Sequence, residues 1–204
     1  MSANQHTRAA TTRDLPFLLS LARKYSNEIG FIPATAVEKY IENGWVQMAT
    51  ENDADAGYVL ARPPSRREPH IARIIQTAVS FDAQRRAHGM ELVERVAQTA
   101  VVAGATILQA CVRRDIEANA FFLAAGFTAV AMRSAPTARA QAHVIWRRPL
   151  VTVEANVLAH LERPFRNQGP GGRFLAATAV EKQYTFRRPT RRELQDLHRL
   201  PEAA

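Results

Sequence analysis

The sequence predicts an α/β fold, and two strand-to-helix units carry that expectation. The first is Val79-Ser80-Phe81-Asp82-Ala83-Gln84-Arg85-Arg86-Ala87-His88-Gly89, running into the helical pattern Met90-Glu91-Leu92-Val93-Glu94-Arg95-Val96. A β-branched strand breaks there into a short basic turn, and a helix opens on Gly89. In the second, residues 107–112 read as a strand and residues 118–125 as a helix closing at Gly126-Phe127. With 204 residues, 47% hydrophobic and 23% charged, the chain is long enough for a substantial core of ordinary globular composition.

The remaining elements follow in order. A short strand near residues 6–10 leads to a helix beginning around residues 12–14, with Leu15, Leu18, Leu19 and Ala22 at helical spacing. Gly30-Phe31-Ile32-Pro33 breaks that helix, and a second runs through Val37, Tyr40 and Ile41 to the stop signal Asn43-Gly44. Residues 45–51 and 57–62 alternate as a hairpin, joined by the turn Asn52-Asp53-Ala54-Asp55-Ala56. The stretch Pro63-Pro64-Ser65-Arg66-Arg67-Glu68-Pro69 excludes regular structure. A strand over 70–79 precedes the basic turn, and the following helix reaches about residue 103 with Gly104 as its stop. Residues 128–133 and 142–147 form a last strand pair bridged by a basic turn. Past Pro149-Leu150 the character shifts: a helix over 152–161, a flexible joint over 166–172, strand character over 174–186 and a capping box at Thr190-Arg191-Arg192-Glu193. The expected division is a domain over 1–150 and a basic C-terminal extension over 151–204.

No uncharged apolar run reaches the length of a membrane span, and the N-terminal apolar stretch is interrupted by Arg23 and Lys24, unlike a signal peptide. A single cysteine rules out an internal disulfide, and a cytoplasmic location is the default expectation. The net charge is +8 and the isoelectric point near 10.5. Arginine supplies nearly all of the excess, in clusters at Arg62, Arg66, Arg67 and Arg73 and at Arg187, Arg188, Arg191 and Arg192. Such a surface attracts polyanions, which leaves nucleic acid open as a partner beside a plain solvated surface.

The basic turn is the strongest chemical cue. Backbone N–H groups of the turn and of the first helical turn converge where the helix dipole favours negative charge. Small residues at Ala87 and Gly89 let a phosphate reach the backbone. Taken alone, the turn fits better a strand–helix connection that binds nothing.

The two units together resemble the GCN5-related N-acetyltransferase (GNAT) family. Gln84-x-x-Ala87-x-Gly89 matches the first signature, with Ala in place of its first Gly. Asp115-x-x-Ala118-x-x-x-Phe122-x-x-x-Gly126-Phe127 matches the second, with Asp for Asn and Phe for Tyr. The opening Arg8-Ala9-Ala10-Thr11 … Asp14-Leu15-Pro16 also looks like the family's first strand and helix, so the resemblance spans roughly residues 6–150. It implies an α/β (α+β) GNAT acyl-CoA N-acyltransferase fold, with a mixed, mostly antiparallel sheet and helices on both faces.

The resemblance further implies acetyl-CoA as co-substrate. Its pantetheine would pair with backbone at Thr77, Ala78 and Val79, and the Val79 N–H would serve as an oxyanion-type donor. Its pyrophosphate would sit on Gln84, Arg85, Arg86, Ala87, His88, Gly89 and Met90, with Asp115 and Phe122 completing the cofactor side.

Acetyl transfer to an amine needs a base for the ammonium proton and a donor for the leaving thiolate. The family commonly uses a tyrosine for the second task; Phe122 stands there and cannot donate. The strand positions where members carry a glutamate hold Arg73 and Ala110. The candidate catalytic residues are therefore Asp115, Glu28, Tyr25 and Gln76, the last an uncharged polar residue that needs a partner if buried. Cys111 reads as an inert mid-strand core residue, His143 as structural, and His88 as flanking phosphate. The six histidines show no metal-ligand spacing, so no metal is expected.

An acceptor nitrogen already neutral at pH 7, such as an aromatic, nucleobase or hydrazine-like amine, needs no strong base, whereas a lysine or polyamine would lose its proton to water or to the candidate groups; the sequence selects neither. The expected function is acetyl or short-acyl transfer from acyl-CoA to an amine by direct attack in a ternary complex. The alternative is a catalytically degenerate module of the same fold that binds nucleic acid or a protein through its arginine surface. Monomer and homodimer both remain open.

Overall fold

The computed structural model describes residues 5–85, 87–133, 142–150 and 173–174. The chain forms two compact units, residues 1–108 and 109–204.

In the first unit, β1 (Gln5–Ala9) leads through a 3-10 turn, Thr12–Asp14, into α1 (Leu15–Lys24), α2 (Ser26–Ile29) and α3 (Ala34–Glu42). Strands β2 (Val46–Glu51), β3 (Ala54–Arg62) and β4 (Ile71–Val79) follow, then α4 (His88–Val102). The strand order β1-β2-β3-β4 is antiparallel throughout. Leu18 of α1 and Val37 and Ile41 of α3, from the stripes read in the sequence, are buried together with Leu21 against Val46, Met48, Tyr58, Leu60 and Ala78, while Leu15, Leu19 and Ala22 pack at the edge of that core. Helix α4 buries Leu92, Val93, Val96 and Ala100 in the same unit.

The α1 start is fixed electrostatically. Asp14 accepts two guanidinium bonds from Arg8, both at 2.7 Å, and also takes the Thr11 N–H at 2.7 Å and its hydroxyl at 3.0 Å. The Arg8 bond chiefly lowers the Asp14 carboxyl to a pKa of about 2, with the Thr11 donors adding to it. A depressed carboxylate contributes stability that is present above its unfolded pKa and lost as pH falls through the folded value. Asp14→Asn is expected to cost about 1–2 kcal/mol at neutral pH and to flatten the acid-unfolding limb between the ordinary carboxylate range and about pH 2. Urea unfolding of both proteins across that range checks it; an unaltered acid limb would remove Asp14 as its source.

The hairpin differs from the sequence reading. Strand β3 starts at Ala54, and the turn is only Asn52 (φ 49°) and Asp53 (φ 64°). Two left-handed residues make the two-residue turn whose twist matches the flanking strands; asparagine and aspartate reach that conformation more readily than other side chains. Two irregularities shape the sheet further. The β2–β3 register slips between Ala49 and Thr50, and the β3–β4 register passes from Leu60↔Gln76 to Ala61↔Ile74, which leaves Ile75 as an extra residue on β4.

The second unit orders its strands as β5 (Ile107–Arg113), β7 (His143–Pro149), β6 (Thr128–Arg133) and β8 (Arg173–Phe174). The β6 strand is antiparallel to both β7 and β8. Helix α5 (Ala118–Ala124) lies between β5 and β6 in sequence and ends where Gly126 takes φ 80°. Of the expected strand over 174–186 only Phe174 is described, within β8, and the rest lies outside the described residues. The expected helix over 152–161, the joint over 166–172, the capping box at Thr190, the arginines of the tail and the turn over 134–141 lie outside the described residues.

Candidate active site

The end of β4 sets the geometry. Ser80 N–H donates to Ala56 O at 2.8 Å, and the register runs Gly57↔Val79, Tyr58↔Ala78 and Val59↔Thr77. Antiparallel ladders alternate bonded and non-bonded pairs. The N–H groups of Val79 and Thr77 therefore point away from β3, off the ladder that holds their neighbours. These are two of the three residues expected to meet pantetheine; Ala78 is the one turned into the ladder, its side chain in the α1–α3 core. Gly57 lies against this strand end: a Cβ there would stand 2.6 Å from Ala78 O and 2.9 Å from Val79 Cα.

Beyond Val79, residues Phe81–Ala83 make one 3-10 turn, and the chain then takes left-handed φ at Arg85 (65°) and Ala87 (68°) before α4 begins. Left-handed residues in such a turn bring successive N–H groups to one concave spot, and the α4 N-terminus adds its dipole. Ala87 therefore occupies the conformation in which glycine carries no penalty, which is why a glycine suits that position in the family's signature. Ala87→Gly is expected to raise stability by about 0.5–1 kcal/mol, because relief of the left-handed strain outweighs the added chain entropy. Thermal unfolding would show a small rise in Tm; a fall would mean the methyl group makes a packing contribution. Gln84 spans the turn, its Nε2 donating at 3.3 Å to both Val79 O and the Tyr25 hydroxyl. Arg86 lies outside the described residues. Met90 and Gly89 are partly buried in the first turn of α4.

The helix opens one residue earlier than expected, at His88 rather than Gly89. His88 does not stand beside the turn's exposed face. It is buried, with Nε2 3.5 Å from Glu51 Oε2. The reason lies in the spacing, since His88 extends the buried stripe Leu92, Val96, Ala100 by one step of four.

The four catalytic candidates occupy different settings. Gln76, 3% exposed, accepts the Tyr58 hydroxyl at 3.0 Å on Oε1 and donates through Nε2 to Gly30 O at 3.0 Å and Ile29 O at 3.3 Å. Tyr58 is fully buried, and burial pushes its phenol well above the ordinary tyrosine value. Tyr25 is half-buried and meets Gln84, which brings it to the turn; Glu28, one turn further on, is exposed. Asp115, in the second unit, is exposed and held by Arg113 through Nε at 3.0 Å and Nη2 at 2.6 Å. That guanidinium keeps the Asp115 carboxyl below the usual carboxylate range. Phe122 is buried edge-on between Phe121 and Phe127, with centroids 5.2 Å apart in each pair. Cys111 is not a core residue, as its place in the strand suggested, but an exposed one.

Two side chains that organise these elements were not singled out by the sequence. Tyr58, read as part of a strand, is the partner that Gln76 needed. Asn119 is the polar hub of the second unit: buried, it donates to the carbonyls of Arg113, Arg114 and Ile116 and accepts Trp146 Nε1 at 3.0 Å. It ties the turn bearing Asp115 to α5 and β7. The signal was an asparagine at the head of a helix, a residue type that bonds nearby backbone readily. Among the described residues no cluster of His, Cys, Asp or Glu is built to hold a metal, and no helix is long and apolar enough to cross a membrane.

By sequence the chain matches no family model and no curated protein. Solved structures do resemble it. The ribosomal-protein-S18-alanine N-acetyltransferase of Escherichia coli superposes with a TM-score of 0.59 at 19% identity, over 75% of this chain and 98% of that one. A structure from Desulfovibrio desulfuricans assigned to the GNAT family gives 0.58 at 20% identity, over 74% and 100%. The N-acetylglutamate synthase of Neisseria gonorrhoeae, complexed with coenzyme A and N-acetylglutamate, gives 0.60 at 19% identity, over 74% of this chain and 36% of that one. The chain therefore has the GNAT acyltransferase fold.

Proposed function

We propose that this chain is a divergent GNAT enzyme that moves an acetyl or short acyl group from acyl-CoA to an amine by direct attack. The observation that carries the reading is the end of β4. Two N–H groups turned off the ladder at Thr77 and Val79 lead into a turn with left-handed Arg85 and Ala87 and a helix N-terminus. The first pair suits an amide-rich pantetheine arm and a thioester oxygen; the turn suits a diphosphate. Both rely on backbone, so they tolerate the departures at Ala87, Asp115 and Phe122. Two of the similar structures support the same ligand and chemistry, one complexed with coenzyme A and the other an alanine N-acetyltransferase. In the transfer, the amine nitrogen forms a bond to the acyl carbon, the carbon–sulfur bond breaks, and the thiolate leaves as CoA. Positioning and the Val79 N–H supply most of the rate.

Calorimetric titration with acetyl-CoA, beside free CoA, tests the reading. Binding in the micromolar range is expected. Absence of binding at millimolar concentration would overturn it. The buried Phe122 favours a second reading, a degenerate module that keeps the fold and binds polyanions through exposed arginines such as Arg66 and Arg67. That reading requires salt-dependent RNA or DNA binding indifferent to CoA.

A further inference from the structure

A buried histidine–carboxylate pair lies directly under the turn at the start of α4. The ladder registers sort the ionisable side chains of β1–β4 between the two faces of the sheet. Arg8, Met48, Tyr58 and Ala78 lie in one row across the strands, on the face packed by α1 and α3. By alternation and register His6, Asp55, Arg62 and Arg73 share that face. Glu51 alone among the ionisable residues of β1–β4 falls on the other face, against which α4 packs. Opposite it stands His88, the first residue of α4, fully buried and with Nε2 3.5 Å from Glu51 Oε2. Neither ring nitrogen has a hydrogen-bond partner among the described residues. The other charges nearby point elsewhere: Glu91, one turn along α4, is half-buried, and Asp82, Arg85, Glu94 and Arg95 are exposed. A leucine would continue the stripe Leu92, Val96, Ala100 without leaving polar atoms unpaired, so packing alone gives no reason for a histidine. Its place does. His88 sits between the left-handed Ala87 and Gly89, within the turn that would receive the diphosphate.

We propose that His88 is a positioning residue for acyl-CoA, and that through Glu51 it couples binding of the diphosphate to uptake of a proton. The inference rests on the acyl-CoA reading and deepens it. With a neutral ring, the backbone N–H groups and the α4 dipole meet the diphosphate alone. When the ring takes a proton from solvent, both its nitrogens become donors and Nε2 closes on Glu51. That bond roots the first residue of α4 at the end of β2, and the helix N-terminus gains a full positive charge behind it. Glu51 is what makes the charged ring tolerable, since a buried cation without a counter-ion is strongly destabilising. A bound diphosphate favours the charged ring by Coulomb attraction. Linkage is reciprocal, so the charged ring favours the diphosphate by the same factor. Affinity for acyl-CoA is therefore higher where His88 is protonated and falls as pH rises.

Calorimetric titration of the full chain with acetyl-CoA at about pH 8 and about pH 6 tests this, because histidine changes charge within that range. The cofactor's own phosphate also titrates there, but alike for every variant, so the His88 share is the difference between proteins. On acidification the parent should gain about five- to tenfold in affinity relative to His88→Gln. The glutamine can still donate to Glu51 but carries no titrating charge. Glu51→Gln should lose most of the same gain, and it carries the test if His88→Gln does not fold. At the higher pH all three proteins should bind with similar affinity. A role in packing alone would weaken binding equally at both pH values, and that result would overturn the coupling. So would an equal gain on acidification in the parent and both variants. In either case the acyl-CoA reading stands, whereas failure of the parent to bind acetyl-CoA would overturn both.

Discussion

Gly89→Glu is expected to abolish acetyl-CoA binding, by on the order of a hundredfold or more, in a protein at least as stable as the parent. Gly89 is the second residue of α4, and it follows the left-handed Ala87 within the turn that would receive the diphosphate. A glutamate there places a carboxylate against a like-charged ligand and fills the space by which phosphate approaches the backbone. The same carboxylate favours the helix itself. Replacing glycine inside a helix gains about 0.5–1 kcal/mol, and a negative charge in the first turn complements the dipole. The two effects therefore have opposite signs, which makes the result diagnostic. Calorimetry and thermal unfolding on the same preparation separate them. Retained affinity in a folded variant would mean that the diphosphate sits elsewhere.

Gly57→Ala is expected to cost about 2–3 kcal/mol and to weaken acetyl-CoA binding as well. The added methyl group would meet backbone on both counts, Ala78 O at 2.6 Å and Val79 Cα at 2.9 Å. Backbone cannot turn aside as a flexible side chain can, so β3 and β4 must separate at the point where Val79 presents its N–H. Chemical denaturation would show the lost stability, and titration the lost affinity. Full stability would mean that the strand pair yields there at no cost, and that Gly57 does not set the position of Val79.

Much of this architecture was legible because periodicity and stop signals are local. Strand β6 and helix α5 fall where the sequence put them, since alternation and the Gly126 stop need no tertiary information. Gln76 was also legible, as a polar residue in an apolar strand that demands a partner. Its partners were not, because Tyr58 is 18 residues away in sequence and Gly30 is 46. The hairpin turn was drawn too long because Asn-Asp lacks the glycine that usually marks a two-residue loop. His88 was misread for a related reason. Its four-residue step to Leu92 competed with its position in the turn, and burial decided the outcome. The gap left by Phe122 was visible in the sequence, but its filling by an aromatic cluster was not.

The Asn52–Asp53 turn also bears on the order of assembly. It joins β2 to β3 with two residues, whereas β1 reaches β2 only after α1, α2 and α3 have been threaded between them. Short-range closure costs little chain entropy and hairpins form within microseconds, while closing the long segment is slow. The hairpin should therefore be the part of the first unit already formed at the folding barrier, with β1 added last. Substituting Asp53 by proline, which cannot adopt its positive φ, should slow folding more than it speeds unfolding. A substitution at the β1 edge should do the reverse, and equal effects at both places would mean that the sheet condenses as a whole.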